Sequence, residues 1–221
     1  MWKGKNGNQY LLSLHRIASD NSPYRFATAN KNFSDFQIFN DIRQSEFNPF
    51  EYPLDELAIS GYLNINRIGI LLHSAMFTMN GNGYLFSGTS GAGKSTLSEL
   101  WLQDTDSEIL TDDRVIIREK KGMLYAFGTP WHGTASIHKN KGVPPHQIFF
   151  ITHGNKNAIR KLSVIEASNR LMVRCFPTFW HKDGMQFALN FCTRIASEIE
   201  CCEFSFVPDK TAVEFIKSTI T

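Results

Sequence analysis

Residues 88–95 read Gly-Thr-Ser-Gly-Ala-Gly-Lys-Ser and fit the pattern G-x-x-x-x-G-K-[ST] of a phosphate-binding loop, or P-loop. In such a loop the backbone N–H groups surround a phosphate, the lysine reaches the β- and γ-phosphates, and the last hydroxyl binds Mg²⁺. The apolar run Tyr84-Leu85-Phe86 precedes the motif, and residues 96–102 follow it with helical spacing. Strand, glycine loop and helix is the order that places a phosphate at a helix N-terminus. The motif therefore predicts an α/β fold with a phosphate site, and a glycine-rich turn without a ligand is the alternative.

The residues predicted to bind the phosphate groups of a nucleotide share this one segment. They are Gly88, Thr89, Ser90, Gly91, Ala92, Gly93, Lys94, Ser95 and Thr96.

The composition indicates an ordinary globular protein. The chain has 221 residues, of which 42% are hydrophobic and 20% are charged, and its net charge of +2 gives no sign of a nucleic-acid surface. No apolar run approaches the length of a membrane span, and the polar start leaves no room for a signal-peptide core. The four cysteines form no C-x-x-C pair and share no ligand spacing with the histidines, so we expect reduced thiols in a cytoplasmic protein and no zinc site.

Hydrophobic patterning divides the chain into a β-rich N-terminal lobe over residues 1–52 and one compact core over residues 53–221. In the core we expect a helix from Pro53 to about Ile70, and a hairpin with an Asn-Gly turn within residues 80–83 that leads into the glycine loop. A later helix is expected over residues 163–175, with Ser163 or its neighbour as the cap and Glu166 in the capping-box position. Gly128–Pro145 is predicted to be a long functional or mobile loop.

Two aspartates are the strongest candidates for chemistry outside the loop. Asp112 and Asp113 follow an apolar strand predicted at residues 108–111, and a parallel sheet would bring the end of that strand beside the glycine loop. Such a pair can supply a metal-orienting carboxylate and a base for an attacking hydroxyl. A solvated turn is the alternative for this pair, and a structural role is the alternative for His73, which lies on the strand before the hairpin.

Positive charge for a phosphoryl-transfer transition state has several sources. Arg114 directly follows the aspartates, where it can pair with a phosphate or with Asp112, and Arg160, Arg170 and Arg174 are further candidates among which the sequence does not select. Within the long loop, Trp131 and His132 are candidates for acceptor recognition, with a packed structural turn as the alternative.

The arrangement of His73, the glycine loop with Ser90 at its serine position, and Asp112-Asp113-Arg114 resembles the core of the HPr kinase/phosphorylase family. The resemblance spans roughly residues 70–118. It implies a P-loop core of the phosphoenolpyruvate carboxykinase type, with a mixed sheet next to the β-rich lobe. A narrower similarity is to the divergent HPr-kinase-like proteins associated with the biosynthesis of ribosomally made peptides, whose implied acceptor is a peptide hydroxyl.

The resemblance also implies roles for individual residues. Lys94 would bind the β- and γ-phosphates of ATP or another phosphate donor, and Ser95 and Asp112 would hold Mg²⁺. Asp113 would take the proton from a serine-type hydroxyl, and His73 would lie near the acceptor and the γ-phosphate. Members of the family form oligomers, so a homo-oligomer is among the implied assemblies.

The sequence departs from the family pattern after the aspartates. Family members carry a metal-binding glutamate in a second signature stretch, whereas residues 127–133 contain no acidic residue. This leaves three readings: a serine kinase acting on a protein or peptide, a P-loop ATPase, and a nucleotide-binding pseudokinase module that recruits a peptide or a partner enzyme. It also leaves open the reverse, phosphorylase reaction.

Overall fold

The computed structural model describes residues 9–15, 23–40, 48, 50–89, 91–104, 106–133 and 135–220. The strands in these ranges are β1 (Gln9–Leu14), β2 (Arg25–Asn30), β3 (Phe36–Asn40), β4 (Gly69–Met79), β5 (Asn82–Ser87), β6 (Glu108–Thr111), β7 (Arg114–Lys120), β8 (Met123–Gly128), β9 (Gly142–Val143), β10 (Pro145–His153), β11 (Ala158–Lys161) and β12 (Glu200–Phe206). The helices are α1 (Leu54–Ile65), α2 (Lys94–Trp101), α3 (Val164–Arg174), α4 (Lys182–Glu198) and α5 (Thr211–Ile220).

The central sheet has the strand order β11-β12-β10-β5-β4-β7-β8-β9, and β6 also pairs with β4. Strand β10 runs parallel to both β5 and β12, whereas the pairs on either side of this trio are antiparallel. The predicted mixed α/β fold is therefore confirmed in its class.

Both faces of the central sheet are covered by helices. Residues of β4 alternate between the faces, so that Leu72 and Met76 belong to one buried cluster, and Ala75 and Phe77 belong to the other. Helices α3 and α4 contribute to the first cluster, and α2 and α5 contribute to the second. Successive side chains of a strand point to opposite faces of the sheet, and both faces are buried here. The sequence of β4 is therefore a nearly continuous apolar run.

The middle of β4 fixes the relative positions of two segments that sequence analysis singled out. On one side, Ser74 pairs with Ser87, the last residue before the glycine loop. On the other side, the backbone N–H of Ser74 donates to the carbonyl oxygen of Asp113 at 2.9 Å, and His73 pairs with Arg114. The loop and the aspartates therefore flank the same point of one strand.

This arrangement corrects the predicted adjacency of the aspartates to the glycine loop. Strand β6 is not a parallel neighbour of β5, because the antiparallel strand β4 lies between them. Strands β6 and β7 both pair with β4, and Asp112 and Asp113 occupy the break between them. Because β5 and β6 are both antiparallel to β4, they run in the same direction. The aspartates after β6 therefore lie at the same edge of the sheet as the glycine loop after β5.

Strands β1, β2 and β3 form a separate antiparallel sheet. Its buried side chains pack against α1, since Leu12 and Ala27 share a cluster with Leu54, and Phe33 lies near Ile65. The strands agree with the predicted β-rich lobe, whose segments 1–8, 16–22, 41–47 and residue 49 lie outside the described residues. The domain boundary at residue 52 stays a prediction.

One helix is shorter than predicted, and one strand was not predicted. Helix α1 ends at Ile65 rather than near Ile70, because Arg67 adopts a left-handed conformation with φ +56° and the chain then enters β4. Strand β11 was not predicted; its four residues lie at the sheet edge and are largely exposed, so they lack an apolar signal. Among the residues described, no helix is long and apolar enough to cross a bilayer.

Candidate active site

The glycine loop connects β5 to α2 and contains backbone positions that exclude larger residues. Gly93 precedes α2 with φ +95°, and a Cβ there would lie 2.6 Å from Cζ of Phe206. Gly88 is buried, and a Cβ on it would lie 2.7 Å from the Cβ of Ala92. Glycine is therefore required at both positions, at one for its left-handed conformation and at the other for close approach. Ser90 lies outside the described residues.

Lys94 begins α2 and turns back over the loop. Its ammonium donates to the carbonyl oxygens of Gly88 at 2.8 Å and Thr89 at 3.2 Å, and the residue is 9% exposed. Burial lowers the pKa of Lys94, while the negative charge of Asp113 opposes this shift and Arg174 adds to it. The lysine is thus held within the loop by carbonyl groups that a phosphate oxygen could replace as partners.

His153 supports the loop from the neighbouring strand β10. Its Nε2 lies 3.0 Å from the carbonyl oxygen of Gly91, and its ring packs on Phe206 at a centroid distance of 5.5 Å. Sequence analysis did not single out His153. The signal that could have found it is its place at the end of the strand that pairs in parallel with β5.

Asp112 holds the segment that follows β8. Its two carboxylate oxygens accept the backbone N–H groups of Gly133 and Ala135, each at 2.8 Å, and the residue is 3% exposed. A carboxylate has about four lone-pair sites, so these two hydrogen bonds leave acceptor capacity. Asp112 therefore organises the long loop and retains lone pairs for a cation.

Asp113 faces a histidine and an arginine side chain. Its Oδ1 lies 3.4 Å from Nε2 of His73, and its Oδ2 lies 3.3 Å from Nε of Arg114. The contact with His73 is the largest factor that lowers the pKa of Asp113; burial opposes it, and the charges of Arg114 and Lys94 add to the lowering. Asp113 is therefore ionised at neutral pH and able to accept a hydrogen bond.

Arg114 is enclosed by aromatic rings and acids from other elements. Its guanidinium lies 5.1 Å from the ring centroid of Trp131 and 5.0 Å from that of Phe176, and Nη2 pairs with Glu56 at 3.1 Å. The Trp131 indole N–H donates to Asp55 on α1. His132, in contrast, is exposed and stacks on His138. Sequence analysis missed Glu56, which had no signal beyond its place in the first turn of a helix.

A cleft of about 320 Å³ lies between these groups. It is lined by His73, Gly91, Gly93, Lys94, Ser95, Thr96, Asp112, Asp113, Gly133 and His153. The structure thus brings most of the predicted site residues together around one polar cavity. The predicted site residues that do not line this cleft are Gly88, Thr89, Ala92, Arg114, Trp131 and His132.

Two of the three downstream arginines are already paired with carboxylates. Arg160 pairs with Glu166 at 3.1 Å and with Glu203 at 3.5 Å, and Arg170 also pairs with Glu203. Arg174, at the end of α3, pairs with no carboxylate in the part of the chain that the structure describes. Only the tertiary structure makes this distinction among the three.

Arg174 lies close to the base of the glycine loop. Its guanidinium lies 5.2 Å from the ring centroid of Phe150, whose register partner is Ser87. Its Nη1 donates to the carbonyl oxygen of Arg170 at 3.1 Å, while its Nε is buried without an acceptor. Burial lowers the pKa of Arg174, and its charge in turn contributes to the lowered pKa of Lys94. An anion bound at the loop would add negative charge beside these two cations.

The donor set of the cleft suits a hard cation. Ser95, Asp112 and Asp113 offer oxygen ligands, and Mg²⁺ is usually held by one or two carboxylates together with substrate phosphates and water. The described residues contain no cluster of three or more histidine, cysteine, aspartate or glutamate side chains arranged for a metal. The residues therefore fit a cation that depends on phosphate for part of its coordination.

No protein-family model and no curated protein matches the sequence. Among solved structures, the chain is similar to the Hpr(Ser) kinase/phosphatase from Coxiella burnetii, with a TM-score of 0.38 and 11% sequence identity. The similarity covers 68% of this chain and 92% of that chain. A TM-score of this size carries no argument about function, so the proposal below depends on the cleft itself.

Proposed function

We propose that this protein transfers a phosphoryl group from ATP, or another phosphate donor, to a serine-type hydroxyl on a protein or peptide, with assistance from Mg²⁺. One observation carries the proposal: Lys94 at the glycine loop and Asp113, paired with His73, line the same polar cleft. A phosphate-binding lysine and a carboxylate base on one cavity are the minimum that transfer to an alcohol requires.

The proposed roles follow from the positions of the side chains. Lys94 would exchange its contacts with Gly88 and Thr89 for phosphate oxygens. Ser95 and Asp112 would hold Mg²⁺, which neutralises charge on the phosphates when bound. Arg174 would add positive charge where the transferred group becomes more negative.

Asp113 would act as the base in the transfer step. The acceptor oxygen forms a bond to the terminal phosphorus, and the bond from that phosphorus to the bridging oxygen of the donor breaks. The hydroxyl proton passes to the Asp113 carboxylate, and His73 orients that carboxylate through the contact at 3.4 Å. Because Asp113 is anionic at neutral pH, no prior deprotonation is needed.

A nucleotide-binding module without catalysis is the second candidate. The observation that favours it is that both Asp112 oxygens already accept backbone N–H groups, which reduces the capacity left for a metal. Such a module would bind nucleotide in the same cleft and recruit a peptide or a partner enzyme. The buried, free cysteines agree with the cytoplasmic location that we propose for either function.

The deciding experiment incubates the purified protein with γ-labelled ATP, Mg²⁺ and peptides encoded beside its gene, and locates phosphate by mass spectrometry. A kinase phosphorylates a serine-type hydroxyl, and Asp113→Asn lowers the rate by roughly 10²–10⁴-fold while nucleotide affinity stays nearly constant. Asp183→Asn, at an exposed position on α4, serves as the matched control. Nucleotide binding without turnover would support the module instead, and ADP release without a phosphorylated product would support an ATPase.

A further inference from the structure

The Arg114 guanidinium lies between two carboxylates and forms an ion pair with each. Its Nη2 lies 3.1 Å from Oε2 of Glu56, whereas its Nε lies 3.3 Å from Oδ2 of Asp113 and makes no hydrogen bond. Charge-assisted N–H···O bonds are usually about 2.7–2.9 Å long. Both contacts are longer than this, so the guanidinium is paired with each carboxylate and closes a two-hydrogen-bond pair with neither.

Glu56 acts on Arg114 from a separate element of the fold. It lies in the first turn of α1, where the neighbouring Asp55 accepts the indole N–H of Trp131. The Trp131 and Phe176 rings lie on the guanidinium, and the Arg114 side chain is 14% exposed. These contacts hold the arginine in one orientation, and Glu56 is the charged group among them that competes with Asp113 for the guanidinium.

Without a charge at position 56, Arg114 would have one carboxylate left to pair with. Arginine and carboxylate groups commonly form two parallel hydrogen bonds. Such a pair would occupy the Asp113 oxygens that a hydroxyl must approach within about 2.6–3.2 Å to lose its proton. The position of Arg114 therefore bears directly on whether Asp113 is open to the acceptor.

We propose that Glu56 is a positioning residue, which keeps Arg114 from closing a two-hydrogen-bond pair with Asp113 and so leaves the Asp113 carboxylate accessible to the acceptor hydroxyl. The inference rests on the proposed phosphoryl transfer and adds a group from α1 to its machinery. Glu56 contacts neither donor nor acceptor in this scheme, and it acts only through Arg114.

The test compares Glu56→Gln with the double variant Glu56→Gln/Arg114→Gln. The single variant should lower kcat about 10-fold or more and change the KM for ATP by no more than about 2-fold, since only the approach to Asp113 is affected. Removing Arg114 as well should restore kcat several-fold, because no guanidinium remains to occupy Asp113. A loss followed by recovery on a second mutation is a coupling that independent effects do not produce.

The matched control is Glu119→Gln on β7, which removes a glutamate–arginine pair with Arg194 away from the cleft. It should leave kcat unchanged. Melting temperatures of all variants separate a folding defect from the catalytic effect. A wild-type kcat in Glu56→Gln, or a double variant no faster than the single one, would overturn the inference while leaving the proposed function intact.

Failure of the proposed function would be recognised by a different result, which is the absence of phosphate transfer by the wild-type protein. If the wild-type protein transfers no phosphate to any peptide, the crystal structure of Glu56→Gln decides the inference alone. Two Arg114–Asp113 hydrogen bonds in that variant would support the restraint by Glu56. An unmoved Arg114 would refute it.

Discussion

The ammonium of Lys94 donates a hydrogen bond to the carbonyl oxygen of Gly88, 2.8 Å away, within the loop that begins at Gly88. The lysine is almost fully buried, and burial lowers its pKa, while the charge of Asp113 raises it and that of Arg174 lowers it. The carbonyl groups accept hydrogen bonds from the ammonium but carry no net charge. A bound phosphate would accept hydrogen bonds and also neutralise the ammonium, so we expect the loop to be more stable with phosphate bound.

Replacing Lys94 tests this expectation. Lys94→Met removes a buried charge whose pKa is lowered by burial, so the protein without nucleotide should melt at the same or a higher temperature. Nucleotide affinity should fall about 10–100-fold, as expected for a charge-assisted hydrogen bond worth about 1.5–3 kcal/mol. Calorimetric titration with ADP and Mg²⁺ measures the loss, and Lys210→Met at an exposed position is the control. Unchanged affinity would remove Lys94 from the phosphate site.

Replacing Arg174 should separate catalysis from folding. Arg174→Met keeps an apolar stem over Phe150 and relieves the repulsion between Arg174 and Lys94, so the melting temperature without ligand should not fall. The rate of transfer should drop by roughly 10²–10³-fold if the guanidinium stabilises developing charge. Arg160→Met removes an exposed arginine that pairs with Glu166 and Glu203, and it should leave the rate unchanged. Equal losses in the two variants would contradict the special role of Arg174.

Two glycines with left-handed backbones give a matched test of the loop. Gly81 has φ +79° and open space where a Cβ would lie, whereas Gly93 has φ +95° and a Cβ there would lie 2.6 Å from Phe206. Gly81→Ala should cost only the backbone strain, about 1–2 kcal/mol, with nucleotide binding retained. Gly93→Ala should cost more stability and also abolish binding. Denaturant unfolding and nucleotide titration of both variants check the difference, and equal binding by the two would show that the loop tolerates a side chain.

The start of α3 carries a contribution to stability that depends on pH. The backbone N–H of Ser163, together with Arg160 and the Ser163 hydroxyl, lowers the pKa of Glu166 from 4.5 to about 2. Because the pKa in the folded state lies below the unfolded value, this stabilisation is complete above about pH 4.5 and is lost as the pH falls towards 2. Glu166→Gln should therefore be less stable than the wild-type protein at neutral pH and should approach it near pH 2.

Denaturant midpoints measured across this range check the prediction for Glu166. Glu214→Gln, on the exposed side of α5, is the control and should run parallel to the wild-type protein. A stability difference for Glu166→Gln that does not change with pH would show that the hydrogen bonds at the start of α3 do not form.

Local sequence determined the elements whose signals lie within a few residues. The predicted Asn-Gly turn is confirmed and lies at Asn80-Gly81, with φ values of +52° and +79°, because these residue types tolerate left-handed backbone. The capping box of Ser163 and Glu166 is also confirmed. The glycine pattern and the order of strand, loop and helix could be predicted because their signals also lie within a few residues.

Only the tertiary structure decided how these parts meet, because the partners come from distant segments. Strand β4 separates β5 from β6, which the sequence order did not indicate. His153 reaches Gly91 across 62 residues and Trp131 reaches Asp55 across 76. Arg174 is the candidate for transition-state charge because the fold pairs Arg160 and Arg170 with carboxylates.

The sequence by itself therefore determined the chemical inventory of the cleft: a glycine loop, a lysine, paired aspartates and a histidine. Their residue types and short spacings are local properties of the chain. The tertiary structure decided which of their atoms face one another, which arginine pairs with no carboxylate among the described residues, and that Glu56 forms an ion pair with Arg114. Those relationships arise from sheet order and helix packing, which depend on the burial of side chains from the whole chain at once.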